Sequence, residues 1–407
     1  MTEKKKSGFE VLAESSLYPQ EEMLKLKKGK GSFFIGLPRE VSLQENRISL
    51  TPDAVALLVN NGHEVWVETM AGEGSKFSDK QYSEAGAKIV YTVEEVYKAE
   101  IILKIEPPTL EEIEYFRPGQ TLISALQMGN LKAECVNALL RKKVIALAYE
   151  FIEDKVGGMP IVRAMSEIAG STVMLIAAEY LSTVNKGKGI ILGGITGVPP
   201  TKVVIIGAGT VAEYAARAAL SLGAEIQVFD NHLYKLRRIK HTLGHQFYTS
   251  TIDTITLSQS LENADVVIGA LRAEKGKVRH VVSEGMVSKM KPDSLIIDLS
   301  IDQGGCIATS EITSLNKPVF RKYDVIHYCV PNVASRVANT ATTALSNIFT
   351  PTILRAAEEG GVEEMIFSHK WFMKGVYTYK GNLTNESVAR KFAMKFKNIE
   401  LLIAVRF

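Results

Sequence analysis

Gly207, Gly209 and Ala212 stand in the spacing G-x-G-x-x-A, and Asp230 follows 23 positions after Gly207. That spacing suits one task. A first glycine turns the chain tightly, a second lets backbone approach a pyrophosphate, and a third small residue admits a helix close to a sheet. Ala208, Thr210 and Val211 carry the backbone N–H groups at the opening of that helix, where an anion is favoured. An acid about 20 residues further on hydrogen-bonds a ribose 2′-hydroxyl and repels the extra phosphate of NADP, so Asp230 predicts NAD as the cofactor. Lys235 follows closely enough to lie near the same ribose, although a solvated helix lysine reads the same way. The flanking pattern agrees. Val203 to Ile206 is a continuous apolar run, as in a buried parallel strand; the segment after Gly209 is alanine-rich with a helical period; and Glu225 to Phe229 is a second strand ending at Asp230. The glycine spacing alone would be an ordinary strand-to-helix turn, and the strand before, the helix after, the second strand and the acid at its tip make it a dinucleotide site.

These residues need a scaffold, and the chain of 407 residues is long enough for two or three domains. From Phe33 short apolar strands alternate with short helical stretches up to Tyr149, which implies a parallel, doubly wound sheet. A long helical pattern from Ile161 to Val184 then leads to the strand before Gly207, and the second alternation continues through Asp265 to Ala270, Ser294 to Asp298 and Asp324 to Tyr328. Another long helical pattern runs from Ala334 to about Glu359. The expected architecture is α/β: two Rossmann-like doubly wound parallel-sheet domains joined by two long helices, with the site in the cleft between them. The expected boundaries are an accessory arm over residues 1–32, a substrate domain over 33–160 plus 339–407, and a dinucleotide domain over 161–338.

Composition narrows the partners. With 46% hydrophobic and 23% charged residues the chain reads as a globular protein with ample core, and a formal charge of +3 with no basic stripe interleaved with aromatics excludes a general affinity for nucleic acid. No apolar leader follows Met1, and no apolar run approaches the roughly 20 residues that span a bilayer, so a cytoplasmic protein with no membrane partner is expected. Cys135, Cys306 and Cys329 are scattered and odd in number, which fits a reducing compartment and no zinc motif. His241 and His245 have i, i+4 spacing on an expected helix, but no carboxylate or cysteine motif accompanies them and no metal is expected. His327 lies in an apolar strand and reads as a core histidine. Lys186 and Lys188 precede a strand without Walker spacing, and Leu271 to Gly276 reads equally as cleft rim or as surface turn.

Several ordered motifs carry a family resemblance: Ile35-Gly-Leu-Pro-Arg-Glu40, Glu45-Asn-Arg47 through Pro52, Gly62-His-Glu-Val65, Ala71-Gly-Glu-Gly-Ser75, Met165-Ser-Glu-Ile-Ala-Gly170, Gly207-Ala-Gly-Thr210 and Asp298-Leu-Ser-Ile-Asp-Gln-Gly-Gly-Cys306. From Phe33 to about Gly381 the sequence resembles the alanine dehydrogenase family, which is related to the NAD-binding subunit of proton-translocating transhydrogenase. The resemblance implies NAD-linked oxidative deamination of L-alanine to pyruvate and ammonium by a homo-oligomer, usually a hexamer. It implies that Arg47 grips the substrate carboxylate, a task suited to a planar fork. It also implies that Asp302 lies beside nicotinamide and substrate, that Asn332 lines the same cleft and that Ser166 lies near the pyrophosphate.

Two positions depart from the family. Where it carries a lysine two places after Lys104, this chain has Glu106, and where it carries an acid-base histidine, this chain has Gln127. If the strand continues, alternation points Lys104 and Glu106 to one side, where they could pair. Glutamine hydrogen-bonds a carbonyl but has no titratable proton near neutral pH. Hydride transfer belongs to the cofactor and survives these changes. Proton handling then falls to Glu106 or Asp302, with Gln127 and Lys104 orienting the substrate. The open alternatives are a dehydrogenase of another amino acid or a saccharopine-like opine, with Glu106 binding a cationic group, and a catalytically weakened NAD-binding regulatory protein.

Overall fold

The computed structural model describes residues 31–42, 44–154, 156–271 and 280–404. Among these residues the strands form two sheets, one of eight and one of seven. In the first, β1 (Phe34–Leu37), β2 (Glu64–Glu68), β3 (Lys88–Val90), β4 (Ile101–Leu103), β5 (Thr121–Ser124) and β6 (Ile145–Ala148) run parallel in the order β6-β5-β4-β1-β2-β3. β4, β5 and β6 are buried along their whole length, which is why they read as unbroken apolar runs rather than as alternation. The helices that connect the strands of this sheet start where the sequence signals a start: Thr51 caps a helix opening on Pro52, and Thr109 forms a capping box with Glu112.

The second sheet holds β7 (Lys202–Ile206), β8 (Glu225–Phe229), β9 (Tyr248–Ser250), β10 (Val266–Gly269), β11 (Leu295–Asp298), β12 (Val319–Lys322) and β13 (Val325–Tyr328), ordered β12-β13-β11-β10-β7-β8-β9. All pairs are parallel except β12 with β13. The chain then returns: β14 (Val376–Tyr379) joins β6 antiparallel and β15 (Asn382–Leu383) joins β14. The sequence reading lists none of β9, β12, β14 and β15, because strands of two to four residues are too short to carry a period.

Three helices organise the interior, α1 (Pro160–Leu181), α2 (Thr210–Ser221) and α3 (Ala338–Glu358). α1 carries the chain out to the second sheet and α3 carries it back, and α1 packs along α2 and against α3. α1 ends at Leu181 rather than Val184, since Ser182 turns to extended backbone and caps a short 3-10 turn. α3 begins at Ala338 rather than Ala334, the intervening Val333–Val337 being a 3-10 turn entered from Asn332 at φ 59°. By length and composition α1 is apolar enough to cross a membrane. The expectation that no stretch meets that test is corrected, because a helix average tolerates charges that interrupt an unbroken run. Its buried face, including Val173, Ile176 and Ala177, belongs to the apolar core it shares with α2 and the second sheet.

Gly170 is where α1 and α2 come closest. A Cβ there would lie 2.3 Å from the Val211 carbonyl oxygen and 2.8 Å from the Tyr214 Cβ. Gly170→Ala is expected to destabilise the protein by about 1–3 kcal/mol through overpacking, measured as a lower denaturant midpoint. An unchanged midpoint would mean that the helices separate at no cost.

The helix bearing His241 ends at Leu243 with Gly244 left-handed, so His245 lies off it and the i, i+4 chelate does not form. His327 is fully buried in β13 between the Thr309 hydroxyl and the Val325 carbonyl, and burial pushes its pKa down to about 4. Lys188 pairs with Asp265 at 2.7 Å. Arg272 to Gly276, like residues 1–30, lie outside the described residues.

Candidate active site

The order of the second sheet reverses between β7 and β10, and a crevice opens there beyond the carboxyl ends of the strands. Gly207 leaves β7 at φ 112°, and a Cβ on it would lie 2.4 Å from the Ala270 carbonyl oxygen, so the turn admits only glycine. Gly209 differs. Its backbone is extended, nothing lies within 4 Å of where its Cβ would be, and it opens α2 without a side-chain cap. The first N–H groups of a helix have no intrahelical partner, so those of Thr210 and Val211 face open space at a positive helix end. Asp230 ends β8 with 3% of its surface exposed. One carboxylate oxygen accepts the Ala208 N–H at 2.8 Å; the other accepts the His232 N–H at 2.8 Å and meets His232 Nδ1 at 2.9 Å. Lys235 Nζ stands 4.0 Å from the first oxygen. Arg238, which the sequence reading misses, donates to the Ala208 carbonyl and faces Glu213. A glycine cradle at an uncapped helix start, with an acid at the tip of the neighbouring strand, fits a dinucleotide.

Asp230 therefore clamps the glycine turn from the tip of the neighbouring strand. Asp230→Ala is expected to raise the NADH dissociation constant at least about tenfold, through a lost charge-assisted hydrogen bond, and to narrow the preference over NADPH. Fluorescence titration with both nucleotides measures it, and an unchanged NADH affinity would remove Asp230 from the cofactor site.

Across the cleft, the first sheet reverses between β1 and β4. β4 ends at Leu103, so the strand alternation that would bring Lys104 and Glu106 together does not continue. That expected pair is corrected: Lys104 is enclosed, its Nζ 2.5 Å from Glu112 Oε1 and 3.5 Å from Glu40 Oε2. Glu112 thus serves the capping box and the buried lysine at once. Glu40 accepts the Ile105 N–H at 2.6 Å and the Glu106 N–H at 3.4 Å, and burial, opposed by Lys104, lifts its carboxyl to about 7. Glu106 is half-buried. Burial and the nearby Glu45 push its carboxyl up, while Arg47, Lys104 and the Ser42 hydroxyl pull it down.

Arg47 binds both oxygens of Glu45, Nε at 2.7 Å and one terminal nitrogen at 2.5 Å, and its other terminal nitrogen faces Met165 Sδ of α1 at 3.3 Å. Glu45 also accepts from the Asn332 amide at 2.7 Å, so Arg47 and Asn332 are joined through one buried carboxylate that ties the two halves together. Ser335 reinforces the seam, accepting the Asn46 N–H and donating to the Gln44 carbonyl. Gln127 follows β5 in an exposed turn at φ 47°. Glu150 accepts the N–H groups of both Leu126 and Gln127, and two residues beyond Gln127 a Cβ on Gly129 would be 3.4 Å from the Asp302 carbonyl oxygen. Asp302 sits on the 3-10 turn Ile301–Gln303, and its loop is gathered by buried Asp298, which accepts from Ser300, Cys306, Ile307 and Ser310. Solvent reaches Asp302, yet displacement of water by the surrounding walls raises its carboxyl. Ser166 donates to the Val162 carbonyl of its own helix.

The cleft therefore joins Arg47 to Asn332 at one seam and brings the turn after Gln127, at Gly129, against the Asp302 backbone at another, and it leaves Lys104 enclosed behind Glu40. Glu40, Glu45 and Asp298 stand within the motifs that carry the resemblance, but their partners are not legible there because each acts on backbone or on a second charge; Glu112 had the spacing Thr109-x-x-Glu112 as a signal, and Glu150 had none.

Two Rossmann-like domains facing across a cleft, with a glycine turn at a helix start on one side and a buried arginine on the other, define a two-domain nucleotide-dependent oxidoreductase. Residues 36–169 match the alanine dehydrogenase/PNT N-terminal domain and residues 173–386 the C-terminal domain of the same family. The chain belongs to that family, which implies NAD dependence. It is 38% identical over 367 residues to alanine dehydrogenase 2 of Staphylococcus aureus strain USA300, covering 90% of this chain and 98% of the relative. A solved L-alanine dehydrogenase superposes with a TM-score of 0.83 at 32% identity, covering 88% of this chain and 99% of its own. The transhydrogenase from Sinorhizobium meliloti shares the fold, with a TM-score of 0.75 at 22% identity, over 87% of this chain and 99% of its own.

Proposed function

We propose that the protein is an alanine dehydrogenase, converting L-alanine, NAD and water to pyruvate, ammonium and NADH. The observation that carries the reading is the buried Arg47, whose fork is held by Glu45 at the domain seam while its other terminal nitrogen meets, among the described residues, the thioether of Met165. That nitrogen is placed to take a substrate carboxylate without releasing Glu45. The Gln127 amide donates to the carbonyl oxygen or accepts from the amine. Glu106, whose carboxyl burial pushes above its ordinary value, takes the amine proton and returns it during imine hydrolysis, and Asp302, raised by the same cause, is the other candidate for that task. Lys104 acts at one remove, holding Glu40, which in turn grips the peptide of Glu106. NAD would be held by Gly207, Ala208, Gly209, Thr210, Val211 and Asp230, with Lys235 beside the ribose and Ser166 and Asn332 on the cleft walls. The chemistry it supplies, when bound, is acceptance of the substrate hydride.

Glu106 supports a second reading, since it forms no ion pair with a described residue: a substrate whose additional cationic group meets that carboxylate, as in a larger amino acid or an opine. The deciding test follows NADH oxidation with pyruvate and ammonium beside a panel of other 2-oxo acids and amines. Turnover with pyruvate supports the first reading. Turnover only with other partners supports the second, and tight NADH binding without turnover would leave a nucleotide-binding regulator. Free Cys135, Cys306 and Cys329 suit a reducing cytoplasm. The exposed Val184, Ile191, Ile195 and Val198, on the segment between α1 and β7, offer an apolar surface for a homo-oligomer, a hexamer by family likeness, and light scattering gives its mass.

A further inference from the structure

Glu150 follows β6 on the 3-10 turn Tyr149–Phe151, beside the turn that leaves β5. Its Oε1 accepts two successive N–H groups, Leu126 at 2.8 Å and Gln127 at 3.0 Å. Its Oε2 is buried with no hydrogen-bond partner among the described residues. A half-satisfied buried carboxylate is costly, and one whose working oxygen goes wholly to a neighbouring turn is retained for that turn. The turn itself needs holding. Gln127 has φ 47°, a conformation that disfavours a side chain, yet no glycine stands there. Two residues on, Gly129 comes against the Asp302 carbonyl, so the geometry of this turn sets how one wall of the cleft meets the other.

We propose that Glu150 is a positioning residue of the reaction: its carboxylate holds the left-handed turn at Gln127 so that the amide faces the substrate opposite Asp302. The proposal rests on the reading of Gln127 as substrate-facing. Glu150 touches neither substrate nor cofactor in this arrangement. Glu150→Ala frees two adjacent N–H groups and lets the turn relax, whereas Glu150→Gln keeps a carbonyl acceptor in place of Oε1.

The experiment is a double-mutant cycle on kcat, KM and NADH affinity with Glu150→Ala, Gln127→Ala and both together, with Glu150→Gln as the conservative variant. Amide hydrogen exchange over residues 125–130 is read in the same proteins, and it needs no turnover. The expected result is a fall in kcat of about 10–100-fold for Glu150→Ala, the scale of a misplaced reacting group, with NADH affinity unchanged. Exchange over the turn accelerates at least about tenfold, as expected when a local structure opens. Glu150→Gln recovers kcat to within about threefold, and Glu150→Ala costs nothing further in the Gln127→Ala background. Equal losses in both backgrounds, exchange unchanged in Glu150→Ala, or Glu150→Gln as impaired as Glu150→Ala would each overturn the proposal alone. Full activity in Gln127→Ala would overturn the reading of Gln127 and the proposal with it.

Discussion

Arg47→Ala is expected to lower kcat/KM for the amino-acid substrate by about 10³-fold, more than any other single change in the substrate half of the cleft. Two losses combine. On the proposed reading the substrate carboxylate loses its fork, and Glu45, whose side chain is fully buried, keeps the Asn332 amide and the backbone N–H of residue 47 but loses the cation that neutralises it. Removing one member of a buried pair costs about 3–5 kcal/mol, mostly as the desolvation of the partner that stays behind. Part of that cost is spent on stability, so the denaturant midpoint falls as well. Arg47→Lys separates the two contributions. A lysine keeps the charge but presents a point rather than a fork, so it satisfies Glu45 or the substrate but not both, and about a 10²-fold loss is expected with less damage to stability. Steady-state kinetics with NADH titration checks both variants. If Arg47→Ala kept kcat/KM within threefold, the substrate would have to be anchored elsewhere.

The second large effect lies at the glycine turn, where two neighbouring glycines are expected to fail in different ways. Gly207→Ala places a Cβ 2.4 Å from the Ala270 carbonyl on a backbone at φ 112°. The turn must open, the Ala208 N–H moves off Asp230, and both stability and NADH binding fall, the latter by about 10²-fold or more for backbone donors displaced from the phosphate. Gly209→Ala meets nothing within 4 Å and sits at φ −80°, which any residue adopts. The free protein should keep its stability, yet the added methyl occupies the space a pyrophosphate needs, so NADH affinity drops by at least about tenfold. Thermal unfolding with and without NADH distinguishes them: Gly207→Ala lowers the midpoint in both conditions, and Gly209→Ala only removes the shift that NADH produces. A Gly209→Ala protein that bound NADH normally would place the phosphates away from α2.

What can be read from the chain alone follows from how local the physics is. The glycine spacing at Gly207 and Gly209, the apolar run of β7, the acid ending β8 and the capping box at Thr109 are all set by a few adjacent residues. Their meaning is therefore written in the sequence, and with it the two-domain α/β class. The same holds for Arg47 and Asp302, which stand in motifs whose order along the chain identifies the family.

The cleft's electrostatics were settled only by tertiary structure. Lys104 and Glu106 are two apart, and strand alternation would pair them, but β4 ends at Leu103 and the lysine is claimed by Glu40 and Glu112 from other segments. Glu45 joins Arg47 to Asn332 across 287 residues of sequence. Glu150 supports a turn 24 residues before it through backbone N–H groups, which every residue but proline possesses and no sequence pattern marks. Motifs record the groups that meet a ligand. The charges that tune those groups, and the acceptors that hold their backbone, come together only when distant strand ends share one edge of a sheet.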